Sequence, residues 1–490
     1  MSGSDVEVAI IGSGFAGLAM AIRLALRGER RFRILEKAAE IGGTWRDNTY
    51  PGCACDIPSP LYSLSFEPNR DWTRLYPTQP EIWSYMRAAV DRHGLRAQTW
   101  LNAEVAEAAF DEAAGLWRIR TADGRALTAR FLVSGMGGLS RPAVPDLPGL
   151  DRFRGKIFHS AAWDHGYDLR DKRVAVIGTG ASAVQFVPEI APKVSRLHLF
   201  QRTPNWIIPK ADRSFGPFER WLVRNVAAYR KALRGWIYAY HELRFMGFSG
   251  NERLRRFVEG QALRHLARQV PDPELRAQLT PDYALGCKRV LISNEFYPAL
   301  TRPNVHLETA GVRGIEEDAV VTADGRRLEV DAIILATGFR AAEVPAPVRI
   351  LGRGGVDLSD AWADGISAYL GLLVKDYPNL FLLIGPNTGL GHNSIIFMIE
   401  AQVDYILRCL DLMRARGASL VEVTARAQDG FNREIQEKLR RTVWLSGCRS
   451  WYLDSRGRNV TLWPDFTARF WARTRRVREA DLRFAAVPAE

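Results

Sequence analysis

The apolar positions along the chain set out the same short programme twice. Val6–Ile11 is an almost unbroken apolar run, as a strand buried on both faces requires. It passes into Gly12-Ser13-Gly14-Phe15-Ala16-Gly17. Apolar residues then recur at helical spacing to about Arg27, where Gly28 supplies a stop. A second run, Phe32–Leu35, ends the unit at Glu36. The programme returns with a strand at 174–177, the turn Gly178-Thr179-Gly180-Ala181-Ser182-Ala183, a helix through Pro188 and a strand at 197–200 that ends on Gln201-Arg202-Thr203. The spacing from first glycine to tip residue is identical, Gly12 to Glu36 and Gly178 to Arg202. Strand, glycine turn, helix and strand make a dinucleotide-binding βαβ unit. Its glycines let the backbone approach a pyrophosphate, which rests on the amides of the helix N-terminus.

The two tips carry opposite charge, and that separates the ligands. A carboxylate at Glu36 accepts from ribose hydroxyls and repels a 2′-phosphate, so the first unit suits FAD or NAD. A guanidinium at Arg202 suits the 2′-phosphate, so the second unit reads as an NADPH site.

Between and beyond these units the pattern changes. Gly42-Gly43-Thr44-Trp45 and the stretch 50–58, rich in glycine and proline, predict a loop able to reach a flavin ring. Residues 80–93 predict an amphipathic helix. Segments 104–110, 117–121 and 126–129 alternate like a β-meander turning at Asp123-Gly124, and a further strand is expected at 131–134. The proline-rich stretch 141–149 reads as a linker. Past Trp206, residues 220–268 have helical spacing and no strand signal, which marks a helical insertion. Its aromatic stripe (Trp221, Tyr229, Trp236, Tyr240, Phe245) fits a helix core first, and otherwise a substrate channel or a membrane-surface contact. Strands are expected again at 286–293, 328–335 and 380–384, and a helix at 394–413.

Composition narrows the class. With 490 residues, 47% hydrophobic and 25% charged, the chain reads as a soluble protein of two or three domains. No apolar run reaches the roughly 18 residues of a transmembrane helix, and Met1 to Val6 lead directly into a strand, so neither a membrane span nor a signal peptide is expected. The five cysteines include no C-x-x-C pair, so neither a disulfide framework nor a metal site is expected, and a reducing cytoplasm is the expected compartment. The missing pair also argues against dithiol flavin reductases. Half of the net charge of +12 comes from 219–280, with 12 Lys+Arg against 6 Asp+Glu. Two anionic cofactors account for much positive potential, and with no nucleic-acid motif present a nucleic-acid partner is not expected.

Phe153, Gly155, His159, Trp163 and Asp164 form F-x-G-x-x-x-H-x-x-x-W-D between the two glycine turns. This resembles the fingerprint of type I Baeyer–Villiger monooxygenases, a class B flavin-dependent family, and the Trp163-Asp164 ending separates it from the microsomal-type flavin monooxygenases. The resemblance extends over 42–56, 201–206, 286–290, 336–339 and 385–400. It implies an α/β fold of two Rossmann-like domains, with FAD on 1–145 and 331–490, NADPH on 146–330, and the helical insertion at about 211–280. It further implies dioxygen and a small-molecule ketone as substrates, an ester or lactone as product, and a C4a-peroxyflavin held anionic by Arg289, which Asp56 pairs and positions.

Carried over position by position, the resemblance puts Gly12, Gly14, Gly17, Glu36, Thr44, Trp45, Asp56, Tyr62, Val105, Asn387 and Met398 at FAD. It puts Gly178, Thr179, Gly180, Ser182, Arg202, Thr203, Lys288 and Trp451 at NADPH. His159 would belong to a linker coupling the domains, and Gly391, His392 and Asn393 would stand at a substrate-pocket bulge, with His392 equally readable as a surface loop residue. The rival activities are oxygenation of sulfur or nitrogen, which needs no anion-holding arginine, and an NADPH oxidase or redox-sensing flavoprotein.

Overall fold

A computed structural model describes residues 4–340, 348–448 and 450–486. Both glycine-turn units form as their patterns require. In the first, Val6–Ile11 pairs in parallel with Phe32–Leu35 on one side and Ala126–Ser134 on the other. Its side chains at Val8, Ala9 and Ile10 are fully buried, which explains the lack of alternation. The meander expected at 104–134 is antiparallel and joins the same sheet through Leu116–Thr121. Its last two expected strands are one, Ala126–Ser134. The sheet is completed late in the chain, where Leu380–Leu382 adds in parallel beside Ala126–Ser134. The long helix Ile395–Arg416 then packs on Phe15–Leu26.

The second sheet is all parallel, in the order Val305–Glu308, Arg196–Phe200, Arg173–Ile177, Ala332–Leu335, Lys156–His159. Ala332–Leu335 therefore belongs to the second unit, past the boundary expected at 330. The run expected as one strand over 328–335 divides there. Arg327–Glu329 closes a small antiparallel sheet, and Asp331 turns the chain inward by accepting from the Arg173 backbone N–H (2.7 Å).

Three further expectations are corrected. Of 286–293 only Leu291–Ile292 is strand. The part before it is a turn at Gly286, whose φ of +94° no strand residue adopts. Cys287 and Cys448 form a disulfide with a Cα separation of 6.2 Å; they lie too far apart in sequence for local spacing to reveal the pair. The helical insertion exists, as Pro217–Asn225, Ala227–Leu243 and Glu252–Gln269, but its aromatic stripe is not core. Trp221, Trp236 and Tyr240 are exposed, and only Phe245 of the five is buried. The reason is that the inward face is partly polar. Glu242 accepts from Thr467 Oγ1 (2.7 Å), Ala468 N (3.0 Å) and Asn393 Nδ2 (2.9 Å), and Arg234 donates to the carbonyls of Pro60 and Ser63 (both 2.8 Å). The helices are held to the body by these bonds and by inward rings such as Tyr238 on Phe397 (4.9 Å), while the stripe of Trp221, Trp236 and Tyr240 stays outside.

The glycine turns predict a contrast in stability. A Cβ at Gly178 (φ +108°) would stand 2.4 Å from the Ala336 carbonyl oxygen, whereas one at Gly180 would meet no atom within 4 Å. Gly178→Ala should therefore cost about 1–3 kcal/mol in denaturant unfolding, and Gly180→Ala almost nothing. Equal losses would contradict this account of the turn.

Candidate active site

The first cradle is a helix start without a cap. Gly14 precedes Phe15–Leu26, no side chain caps that end, and no acid lies in its first turn. The amides are left for an anion, with the helix dipole adding to their pull. Gly17 permits the close turn, since a Cβ there would lie 1.9 Å from the Gly12 oxygen. Glu36 is buried at the strand tip. One carboxylate oxygen accepts from Ser13 N (2.9 Å) and Ser13 Oγ (2.5 Å), the other from Ala38 N (3.0 Å) and Arg46 (2.9 Å). Burial pushes this carboxyl up, but the Ser13 and Ala38 bonds and the Arg46 charge outweigh it and hold it below the ordinary range. A cleft of about 340 Å³ opens beside it, lined by Lys37, Arg46, Glu104, Leu139 and Phe339 among others.

Thr44 opens a short turn of helix, and Trp45 donates from Nε1 to the Tyr62 hydroxyl (3.0 Å), whose ring also meets Phe15 edge-on at 5.3 Å. Val105 is buried at the start of its strand and Met398 lies fully buried in the Ile395–Arg416 helix. The Asn387 amide donates to the carbonyls of Asn459 (2.9 Å) and Leu462 (3.1 Å), tying its turn to the C-terminal segment.

The second cradle repeats the device. Gly180 precedes Ala181–Ile190, again with no side-chain cap and no acid in the first turn. Asn205 donates to Thr179 O (2.7 Å) and Oγ1 (3.2 Å), and Ser182 sits half-buried in the first turn. Arg202 is exposed, with Thr203 half-buried beside it. Lys288 arrives from the Gly286 turn. Burial, then the Arg202 charge, lower its pKa, and its ammonium lies 4.7 Å above the Tyr283 ring. Among the described residues neither cation has an acid within ion-pair distance. Two cations so placed form a ready seat for a doubly charged phosphate.

Between the cradles stands the pair expected from the resemblance. Asp56 Oδ2 accepts from Arg289 Nε (3.2 Å) and from Nη2. Both side chains are part-exposed, at 38% for Arg289 and 27% for Asp56, so the pair is not sealed in core. Burial raises the Asp56 carboxyl, yet the charge and hydrogen bonds of Arg289 bring it below the usual range. The carboxylate in turn raises the guanidinium. The loop that carries Asp56 is held by a clamp from a residue distant in the chain. Gln185, on the first helix of the second unit, accepts from Tyr50 OH (3.0 Å) and Ala54 N (3.3 Å) and donates to Ala54 O (2.9 Å). Ser13, Arg46 and Asn205 likewise carry no motif signal of their own, because each acts through a contact that the folded turns create.

The fingerprint lies along the edge of the second sheet. His159 accepts at Nδ1 from Ala161 N (3.0 Å), and its buried ring meets Phe339 edge-on at 6.0 Å. Burial lowers its pKa, which keeps it neutral. Phe339 also bridges to Pro142, so His159 sits where both inter-domain crossings pass. Phe153 is buried, Trp163 packs on Phe158 and Phe186 (both 5.1 Å), and Asp164 pairs with Lys156 (2.5 Å). These contacts suit a coupling role. Trp451 is 42% exposed and rests on the buried Tyr452, ring centroids 4.6 Å apart. The Cys287–Cys448 disulfide joins the Lys288-Arg289 turn to the segment carrying Trp451. His392 is no surface residue. It is buried against Phe245 (5.1 Å), with Glu242 at 3.8 Å, because the helical insertion covers the bulge.

Both uncapped helix starts, the acidic tip and the cationic tip fit FAD and NADPH by the chemistry of their donors. Comparison with known proteins agrees. A family model described as pyridine nucleotide-disulphide oxidoreductase matches residues 9–228. A Baeyer–Villiger monooxygenase of Pseudomonas aeruginosa is 50% identical over 96% of this chain and 89% of its own length. Among solved structures, a complex of OTEMO with FAD and NADP superposes with a TM-score of 0.90 at 27% identity, covering 99% of this chain and all of that one. An oxidized steroid monooxygenase bound to NADP gives 0.88 at 30% identity, covering 98% and 99%. The chain belongs to the Baeyer–Villiger monooxygenase family and is an NADPH-dependent, FAD-binding monooxygenase.

Proposed function

We propose that the Arg289–Asp56 pair is the reaction centre at which this enzyme inserts one oxygen atom of O2 beside a ketone carbonyl, giving an ester or lactone. The observation that carries this reading is a charge-fixed, part-exposed guanidinium, braced by an ionised carboxylate, in a fold that carries two dinucleotide cradles. Bound FAD, reduced by NADPH, supplies the activated oxygen. The protein's own part is binding, orientation and charge. The amides after Gly14 take the FAD pyrophosphate and Glu36 its ribose hydroxyls, while Thr44, Trp45 and Tyr62 with Val105, Asn387 and Met398 shape the flavin side. The amides after Gly180 take the NADPH pyrophosphate, Thr179 and Ser182 line it, and Arg202, Thr203 and Lys288 hold the 2′-phosphate. Trp451 covers the nicotinamide end.

Arg289 keeps positive charge beside the oxygen anion and, as a guanidinium, gives up no proton to it. Asp56 positions Arg289. His159, neutral and placed between the crossings, couples the two domains. The FAD domain comprises the N-terminal part to about 145 and the chain after the second sheet. The compartment that fits an NADPH-consuming enzyme without a membrane-crossing helix among its described residues is the cytoplasm.

With a panel of ketones and air, NADPH consumption should match ester appearance mole for mole. Arg289→Ala should retain yellow flavin and lose about 10²–10³ in ester formation; ester at the parent rate would remove Arg289 from the centre. Arg202→Ala should raise KM about 10- to 100-fold for NADPH, as the loss of a charged hydrogen bond does, and leave NADH nearly unchanged. Equal effects on both cofactors would refute the 2′-phosphate role.

The pH behaviour follows from the sign of the shifts. A carboxyl lowered in the fold contributes above its unfolded pKa and is lost only as pH falls through the folded one. The pair should thus stay ionised from roughly pH 5 upward. Asp56→Asn should slow turnover at every pH without creating or abolishing a neutral-range transition. A step near pH 7 in the parent that vanishes in this variant would contradict the assignment.

A further inference from the structure

The helical insertion carries more exposed apolar surface than its packing needs. Of the 14 large hydrophobic residues exposed among those described, eight lie in 218–263: Phe218, Trp221, Trp236, Tyr240, Leu243, Met246, Phe257 and Leu263. They are organised rather than scattered. Phe218 stacks on Trp221 (6.2 Å) within Pro217–Asn225, and Trp236 stacks on Tyr240 (6.0 Å) within Ala227–Leu243, where Leu243 continues the same face one turn on. The two helices pack against each other.

The charges around these rings are nearly all positive. Within 218–263 the acids are engaged: Glu219 with Arg213, Glu242 in its buried bonds, Glu252 and Glu259 with Arg255 and Arg256; Asp272 and Glu274, farther along, form no ion pair among the described residues. Exposed Arg220, Lys231, Arg253, Arg264 and Arg268 have no acid within ion-pair distance among the described residues. A second copy of the same face would meet like charge with like charge, which disfavours self-association. A surface of negative headgroups over an apolar interior answers both features, since tryptophan and tyrosine settle at such a boundary and arginine and lysine meet its phosphates.

We infer that the outer face of the helical insertion docks on an anionic phospholipid surface. The position gives docking a use. The end of the Trp236–Tyr240 face is continuous with Arg244, which lies close enough to Asp56 for their charges to interact. A lipid-soluble ketone leaving the bilayer would therefore enter beside the Arg289–Asp56 pair. That delivery step rests on the ketone reading; the docking does not, and it is tested without turnover.

FAD-loaded enzyme would be sedimented with vesicles of phosphatidylcholine alone and of phosphatidylcholine mixed with phosphatidylglycerol. Binding to the mixed vesicles only is expected, about tenfold weaker for the exposed double variant Trp221→Ser/Trp236→Ser and similarly for Lys231→Glu/Arg253→Glu. Turnover of a water-soluble ketone should stay at the parent rate in both. Three results would overturn the inference. One is failure to bind either vesicle. The second is undiminished binding by the aromatic variant, which would reduce the effect to a basic protein meeting a negative surface. The third is a parent oligomer that Trp236→Ser dissolves, which would make this face a contact between copies.

Discussion

A guanidinium and a carboxylate drawn from positions 289 and 56 meet at one short contact, and much of the architecture serves to make them meet. Neither residue lies on a regular element. Asp56 lies within a loop rich in glycine and proline, and Arg289 follows a turn at Gly286 that only a left-handed backbone can make. Left alone, two such loops would sample many arrangements. Here one is clamped by Gln185 against the second unit's first helix, and the other is bonded through Cys287 to the C-terminal segment. Fixing both ends before substrate arrives means that little reorganisation remains for the moment of reaction.

The pair is part-exposed, and that matters to its energetics. A fully buried ion pair seldom recovers the cost of desolvating both members, and a fully exposed one is worth little. In this part-exposed pair, burial pushes the Asp56 carboxyl up and the guanidinium's charge brings it down, with the second effect prevailing. The outcome is a cation that stays charged, with donors still able to turn toward a new anion. Stability is a weak motive for such an arrangement; a fixed positive potential is a strong one.

Around this centre the chain uses one construction twice and differentiates it by a single residue type. Both cradles leave a helix start uncapped and free of acids, so each attracts a pyrophosphate. The tips then discriminate. Glu36 is wrapped by Ser13, Ala38 and Arg46 and remains ionised, while Arg202 and Lys288 stand near each other with no acid within ion-pair distance among the described residues. The side chain at the end of the second strand differs in sign between the two cradles, and on the proposed reading that difference selects the nucleotide.

How much of this was legible in the chain follows from the range of each interaction. The two βαβ units, the glycines and the opposite tips are encoded within a few dozen residues by hydrophobic period, turn chemistry and charge, so the sequence by itself determined them, and with them the cofactor classes. The fingerprint and the pairing of Asp56 with Arg289 were legible only through resemblance, since nothing local says that they touch. What tertiary structure alone decided is long-range. It paired Cys287 with Cys448, placed Ala332–Leu335 in the second sheet, buried His392 under the insertion, and turned Trp236 and Tyr240 outward when helical spacing suggested core. Periodicity reports that a helix has two faces. Which face meets the body depends on what the body offers, and here Thr467, Ala468 and Asn393 offered hydrogen bonds to Glu242 and turned the aromatic face to the outside.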